Sequence, residues 1–176
     1  MAQHDLNPQA FTIGGKPAWT FDALPAVGAP APAFHLADAT FRDWELGDFA
    51  GKRKVLNIAP SLDTPVCQMA AKKFTEAVAA RKDTVLLNVT VDLPFAQARF
   101  CAGLSCGENV RFLSSFRAPE FGMDYGVLIV DHPMMGLLAR AQIVIDETDT
   151  VRYAALTPEL AQEPDYAAVL KALDAV

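Results

Sequence analysis

The feature that most constrains this 176-residue chain is a switch of hydrophobic period in its first half. Val55-Leu-Asn-Ile-Ala59 and Val85-Leu-Leu-Asn-Val-Thr-Val91 are short apolar runs of strand length, the second rich in β-branched residues. Between them, Pro65 to Ala80 carries Val66, Met69, Ala70, Phe74, Ala77 and Val78 at helical spacing. Pro94 to about Leu104 reads as a further helix, with Phe95, Ala98 and Phe100 available for packing. Gln142–Asp146 and Val151–Ala155 flank the turn-rich Glu147-Thr-Asp-Thr150 and read as a hairpin. Asp165 to Ala175 closes the chain as an amphipathic helix with Tyr166, Val169, Leu170 and Leu173 on one side. Strand, helix and strand followed by a hairpin and a helix is the plan of an α/β domain with a mixed sheet.

Upstream, Phe11 to Trp19 reads as a small hairpin turning at Gly14-Gly15, which supply the positive φ angles of a tight turn. Leu24 to Phe34 is a proline-rich connector. Phe34-His-Leu and Phe41 to Trp44 are short extended pieces, and Leu46 to Phe49 a single turn. Val127-Leu-Ile-Val130 fits either a short strand or a loop.

Length and composition fit one domain over 1–176, with 1–10 a flexible N-terminal extension; hydrophobic residues make up 52% and charged residues 20%. A net charge of −6 gives no electrostatic reason to expect nucleic acid or an anionic membrane as partner. No apolar run reaches the roughly 18 residues of a spanning helix. No export signal is visible, and three cysteines do not form the framework of a secreted disulfide-rich domain, so the cytoplasm is the expected compartment.

Asp63-Thr-Pro-Val-Cys67 places a cysteine at the junction of the first strand with its helix. Thr64 or Asp63 can cap that helix through a side-chain oxygen, and Pro65 suits its first position. Cys67 is then the third helical residue, near unpaired N–H groups and the positive end of the helix dipole. Such a site favours thiolate over thiol, and the thiolate is the attacking species. The alternative is that Cys67 is a small buried hydrophobe. Arg140, in the apolar run Leu137-Leu-Ala-Arg-Ala-Gln-Ile-Val, is either a solvated strand-edge charge or a buried cation with a partner to meet.

Pro60-x-x-x-Thr64-x-x-Cys67 resembles the active-site signature of the peroxiredoxins, and Pro60-Ser-Leu-Asp-Thr-Pro-Val-Cys67 that of their bacterial thiol peroxidase branch. Asp92-Leu-Pro-Phe-Ala-Gln-x-Arg99-Phe-Cys101, Phe121-Gly-x-Asp-Tyr-Gly126-Val, Gly136-Leu-Leu-Ala-Arg140-Ala and Gln162-Glu-Pro-Asp-Tyr166 are similar to that branch too, so the resemblance runs in order from about residue 11 to 173. It implies a thioredoxin-like fold, a central mixed sheet flanked by helices with an N-terminal hairpin added. It also implies reduction of hydrogen peroxide and organic hydroperoxides. Cys67 would attack the O–O bond and become a sulfenic acid. Thr64 would hydrogen-bond thiolate and peroxide, Arg140 would hold the thiolate and polarise the substrate, and Pro60 would shield the pocket. Cys101, 34 positions after Cys67, would resolve the sulfenic acid as an intramolecular disulfide, with the helix after Pro94 shifting or unwinding. Recycling by thioredoxin, no metal or organic cofactor, and a homodimer follow from the same resemblance. A peroxide-sensing thiol relay on the same fold is the alternative function.

Cys106 departs from the branch, in a stretch about a residue longer than usual, and is read as an incidental or auxiliary thiol. His4, His35 and His132 do not form ligand spacing with the cysteines. No Cys-x-x-Cys and no phosphate-binding glycine loop is present. Asp22, Asp38, Asp63 and Asp92 form no obvious carboxylate pair, and Phe121, Met134 and Met135 are read as core residues, the alternative being exposed apolar residues at a dimer or substrate-facing surface.

Overall fold

The computed structural model describes residues 8–104, 106–131 and 133–176. Strands β1 (Ala10–Ile13) and β2 (Lys16–Trp19) form the expected N-terminal hairpin, with Gly14 and Gly15 both at positive φ. The expected 1–10 extension falls largely outside the described residues, but the Thr20 amide donates to the Gln9 carbonyl at 3.0 Å and Ala10 pairs with Trp19. His4 and His132 also lie outside the described residues.

The main sheet has seven strands: β3 (His35–Ala37), β4 (Asp43–Glu45), β5 (Arg53–Ile58), β6 (Thr84–Thr90), β7 (Val110–Ser114), β8 (Ala141–Ile145) and β9 (Val151–Leu156). Their order is β4-β3-β7-β6-β5-β8-β9, with β5, β6 and β7 mutually parallel and β3, β8 and β9 antiparallel additions. Helices α1 (Pro65–Val78), α2 (Pro94–Cys101), α3 (Pro119–Asp124) and α4 (Tyr166–Asp174) complete it. This is the mixed α/β sheet that the switch of period and the terminal hairpin foretell.

Every residue of β6 is buried, because helices or loops cover both faces, which is why its sequence is apolar without alternation. Register sorts the neighbours by face. Val55, Leu86 and Val144 lie on one side and pack with Phe74 and Val78 of α1 and Val169 and Leu173 of α4. Leu56, Leu87 and Ile143 lie on the other and meet Phe34, Phe121 and Tyr125. Each such side chain contributes about 1.5–3 kcal/mol on burial. Asp165 caps α4 by accepting from the Ala168 amide at 2.9 Å.

Two elements have no counterpart in the sequence reading. β7 is interrupted by Arg111, whose guanidinium lies 4.8 Å from the Trp44 ring centre, so its apolar pattern is broken. α3 spans six residues and contains Gly122, a poor helix former, placed where a Cβ would lie 3.0 Å from a Leu138 methyl. Val127–Val130 is loop, joined to its surroundings by the isolated bridges Leu128↔Leu138 and Ile129↔Thr20. Phe121 is core as expected, but Met135 is exposed. Phe95 is 68% exposed and packs edge-on against Phe41 instead of the core, so α2 is held to the sheet by buried Gln97, whose Nε2 donates to Thr90 Oγ1 at 3.1 Å, and by Phe100.

Candidate active site

The site forms where the parallel strands end. The Ala59 amide makes one last parallel bond to the Val89 carbonyl at 3.0 Å, and the chain then leaves the sheet through buried Pro60. Such carboxyl ends of strands are where open α/β sheets place their sites. Asp92, just past the end of neighbouring β6, clamps the departing loop. Its carboxylate accepts from Ser61 Oγ at 2.7 Å, the Leu62 amide at 2.6 Å and Thr90 Oγ1 at 2.9 Å.

Thr64 stands at the N-cap of α1 in extended conformation (φ −117°, ψ 143°), with Pro65 in the first turn and Cys67 the third helical residue. The capping expectation fails for both candidates. The Thr64 hydroxyl donates to the Ser61 carbonyl at 3.0 Å, and Asp63 is drawn outward by Arg99, whose Nη2 lies 3.0 Å from both carboxylate oxygens. No side chain caps the first turn. The Thr64 hydroxyl therefore bonds the preceding loop rather than Cys67, and Thr64 contributes a wall of the cleft described below.

Cys67 is fully buried and free. Arg140 reaches it because β8 runs antiparallel to β5: Ala141 pairs with Ile58, so Arg140 sits beside Ala59 and Pro60. Arg140 Nη2 donates to Cys67 Sγ at 3.3 Å, while Nε and Nη2 hold the Leu160 carbonyl at 3.1 and 3.0 Å. The side chain is 2% exposed, forms no ion pair among the described residues, and its Nη1 is buried without an acceptor there. The solvated-edge alternative for Arg140 is thus set aside. An uncompensated buried charge is costly, so the guanidinium depends on the Leu160 carbonyl and Cys67 Sγ as its partners.

A cleft of about 290 Å³ opens beside this pair, lined by Pro60, Thr64, Val66, Met134, Leu160 and Ile13 among others, and Arg140 forms part of its wall. Asp92, Glu159 and Leu160 are contributors that sequence reasoning missed. Asp92 carries a weak signal, an acid at the carboxyl end of a strand next to the Pro60 loop. Glu159 and Leu160 carry none.

Cys101 ends α2, half-buried against the α1 side of the core, and its thiol is pushed up to about 12, by burial first and by nearby Cys106 second. Cys106 is exposed, with burial of its thiol still raising its pKa. All three cysteines are free. The Asp63–Arg99 pair between α2 and the Cys67 loop is exposed and worth little in water, while Leu62 of that loop shares a core cluster with Phe100 and Cys101.

Comparisons with known proteins give the chain its family and fold. The Redoxin family model matches residues 26–170. A thiol peroxidase of Mycobacterium bovis is 51% identical over 164 residues, covering 93% of this chain and 98% of the relative. A peroxiredoxin-like protein from Aquifex aeolicus superposes with a TM-score of 0.88 at 34% identity, covering 97% of this chain and 99% of that one. A thiol peroxidase from Chromobacterium violaceum shares the fold, with a TM-score of 0.86 at 24% identity over 98% of this chain and 97% of that one. With sequence motif, fold and family match in agreement, the chain belongs to the Redoxin family, in the bacterial thiol peroxidase branch of the peroxiredoxins.

Proposed function

We propose that Cys67 is the peroxidatic nucleophile of this thiol peroxidase, acting on hydrogen peroxide and organic hydroperoxides. One observation carries the assignment: Arg140, buried and without a carboxylate partner among the described residues, donates to Cys67 Sγ at 3.3 Å at the wall of an apolar cleft.

The chemistry follows from that pair. A hydroperoxide enters with one oxygen in line with the sulfur. The thiolate attacks that oxygen, an S–O bond forms, the O–O bond breaks, and the distal oxygen leaves as alkoxide or hydroxide and takes a proton to give an alcohol or water. Arg140 Nη1, buried without an acceptor, is the donor available to the charge that develops on the peroxide. The Thr64 hydroxyl, on the cleft wall, turns from the Ser61 carbonyl toward the peroxide. Pro60 and the apolar lining limit water.

Cys101 then attacks the sulfenic sulfur, releasing water and forming a Cys67–Cys101 disulfide. Cys67 is fully buried and Cys101 half-buried at the end of a different helix, so the last turn of α2 unwinds in this step. In a helix of eight residues, the contacts that this turn gives up are chiefly Phe100 against Phe112 and the exposed Asp63–Arg99 pair. Thioredoxin returns the disulfide to two thiols. The protein acts as a homodimer in the cytoplasm, without metal or organic cofactor; among the described residues no helix is long and apolar enough to cross a membrane.

The test is peroxide-dependent NADPH oxidation coupled through thioredoxin and its reductase. Turnover is expected in the wild type and lost in Cys67→Ser. Full activity in Cys67→Ser, or none in the wild type, overturns the proposal.

A further inference from the structure

Glu159 lines the same cleft as Arg140, and its carboxylate bonds the N-terminal hairpin. It accepts from Thr12 Oγ1 at 2.7 Å, the Gly14 amide at 3.1 Å, the Gly15 amide at 2.9 Å and the Ala161 amide at 3.1 Å. These donors, the Thr12 hydroxyl foremost and the Gly15 and Ala161 amides next, hold its carboxyl down to about 2, so it is charged throughout the range in which a peroxidase is assayed. Backbone bonds run alongside: the Thr12 amide donates to the Pro158 carbonyl at 2.8 Å and the Leu160 amide to the Thr12 carbonyl at 2.9 Å.

The turn held in this way is a wall of the cleft, since Ile13 and Gly14 line it together with Pro60 and the start of α1. Gly14 and Gly15 are exposed and a Cβ on either would meet nothing within 4 Å, so packing around the turn does little to fix its position. The backbone bonds stop at Thr12, so the carboxylate supplies the bonds that reach the two glycines of the turn itself. A neutral amide in its place would offer one acceptor oxygen and turn an NH₂ toward a row of donors.

We propose that Glu159 is a positioning residue that sets the cleft's acceptance of bulky apolar hydroperoxides, by pinning the β1–β2 turn as a wall against the substrate's organic group. The inference rests on the reading of Cys67 as the attacking thiol. Hydrogen peroxide reports on Cys67 and Arg140 but is too small to use the Ile13 wall. A phenyl-bearing hydroperoxide uses both.

The experiment compares wild type, Glu159→Gln and Glu159→Ala in three measurements. The first is kcat/KM for cumene hydroperoxide against that for hydrogen peroxide. The second is amide hydrogen exchange at Gly14 and Gly15. The third is binding of the product alcohol, 2-phenyl-2-propanol, in a Cys67→Ser background, which needs no turnover. In Glu159→Ala the ratio of the two kcat/KM values should fall about tenfold, equivalent to ~1.4 kcal/mol. Exchange at both glycines should quicken and alcohol binding weaken, with Glu159→Gln between the two. A ratio and an alcohol affinity unchanged despite faster exchange would overturn the proposal, as would an equal fall for both peroxides. If Cys67 is not the nucleophile, Cys67→Ser retains peroxidase activity, and the alcohol measurement still decides the role of Glu159.

Discussion

Replacing Arg140 by glutamine removes the three donor contacts of the guanidinium: Nη2 on Cys67 Sγ at 3.3 Å, and Nε and Nη2 on the Leu160 carbonyl. Two costs can be separated. In the resting protein the Leu160 carbonyl loses its partners, a loss of about 1–3 kcal/mol that is partly offset because a buried charge is removed as well. In the transition state the loss is larger, since a preorganised donor aimed at developing charge is worth about 2.7–4 kcal/mol, or a factor of 10²–10³ in rate. Oxidation of Cys67 should therefore slow about 10²–10³-fold in Arg140→Gln. Arg140→Lys keeps the charge but not the fork, so it can serve either the sulfur or Leu160 and should fall between. The assay is rapid mixing of fully reduced protein with peroxide, quenching by a thiol-alkylating reagent, and quantifying unmodified Cys67. Circular dichroism and thermal melting confirm that each variant is folded. A folded Arg140→Gln whose Cys67 oxidises within threefold of the wild-type rate would refute the role given to the guanidinium.

Asp92→Ala removes the acceptor shared by Ser61, Leu62 and Thr90, so the loop carrying Pro60 and Thr64 loosens. Stability should drop by about 1–3 kcal/mol in urea unfolding, with peroxidase activity at least tenfold lower; wild-type activity would show that the clamp is not needed. Burial pushes the Cys101 thiol from 9.0 up to about 12, so its alkylation in the reduced protein should keep rising between pH 9 and 12. Because the folded value lies above the unfolded one, the matching contribution to stability is complete below pH 9 and lost as pH rises toward 12; an alkylation plateau near pH 9 would contradict this. Phe74 is fully buried and its ring centre lies 5.0 Å from that of Tyr166, so Phe74→Ala should cost about 3–5 kcal/mol in urea unfolding. A loss below 1 kcal/mol would mean that the α1–α4 side of the core repacks freely.

What could be read in the sequence depended on how local its cause was. Pro65 to Val78 changes period abruptly against the strands on either side, and Pro65 marks its first turn, so α1 and the place of Cys67 within it were legible. Arg140 stood out because a lone arginine in an apolar run has to meet something, and it meets a sulfur 73 residues away in sequence. β7 and α3 were hidden because Arg111 and Gly122 serve tertiary contacts that break the local pattern. The cap was misjudged since Ser61 and Arg99 compete for Thr64 and Asp63, one through a tight turn and the other from α2. Glu159 was invisible for the same reason on a larger scale: its donors Gly14 and Gly15 lie 145 and 144 residues away. Nothing local to residue 159 announces a hairpin from the other end of the chain.

The central claim, that Cys67 attacks the peroxide and Cys101 captures the product, meets its most direct test in a single mass-spectrometric measurement. Reduced protein is treated with one equivalent of peroxide, remaining thiols are alkylated, and the digest is mapped for sulfur linkages. The expected result is a peptide pair joined through Cys67 and Cys101, with Cys106 alkylated, and in Cys101→Ser a Cys67 sulfenic acid trapped by dimedone. Recovery of Cys67 as an alkylated free thiol while peroxide is consumed would contradict the account.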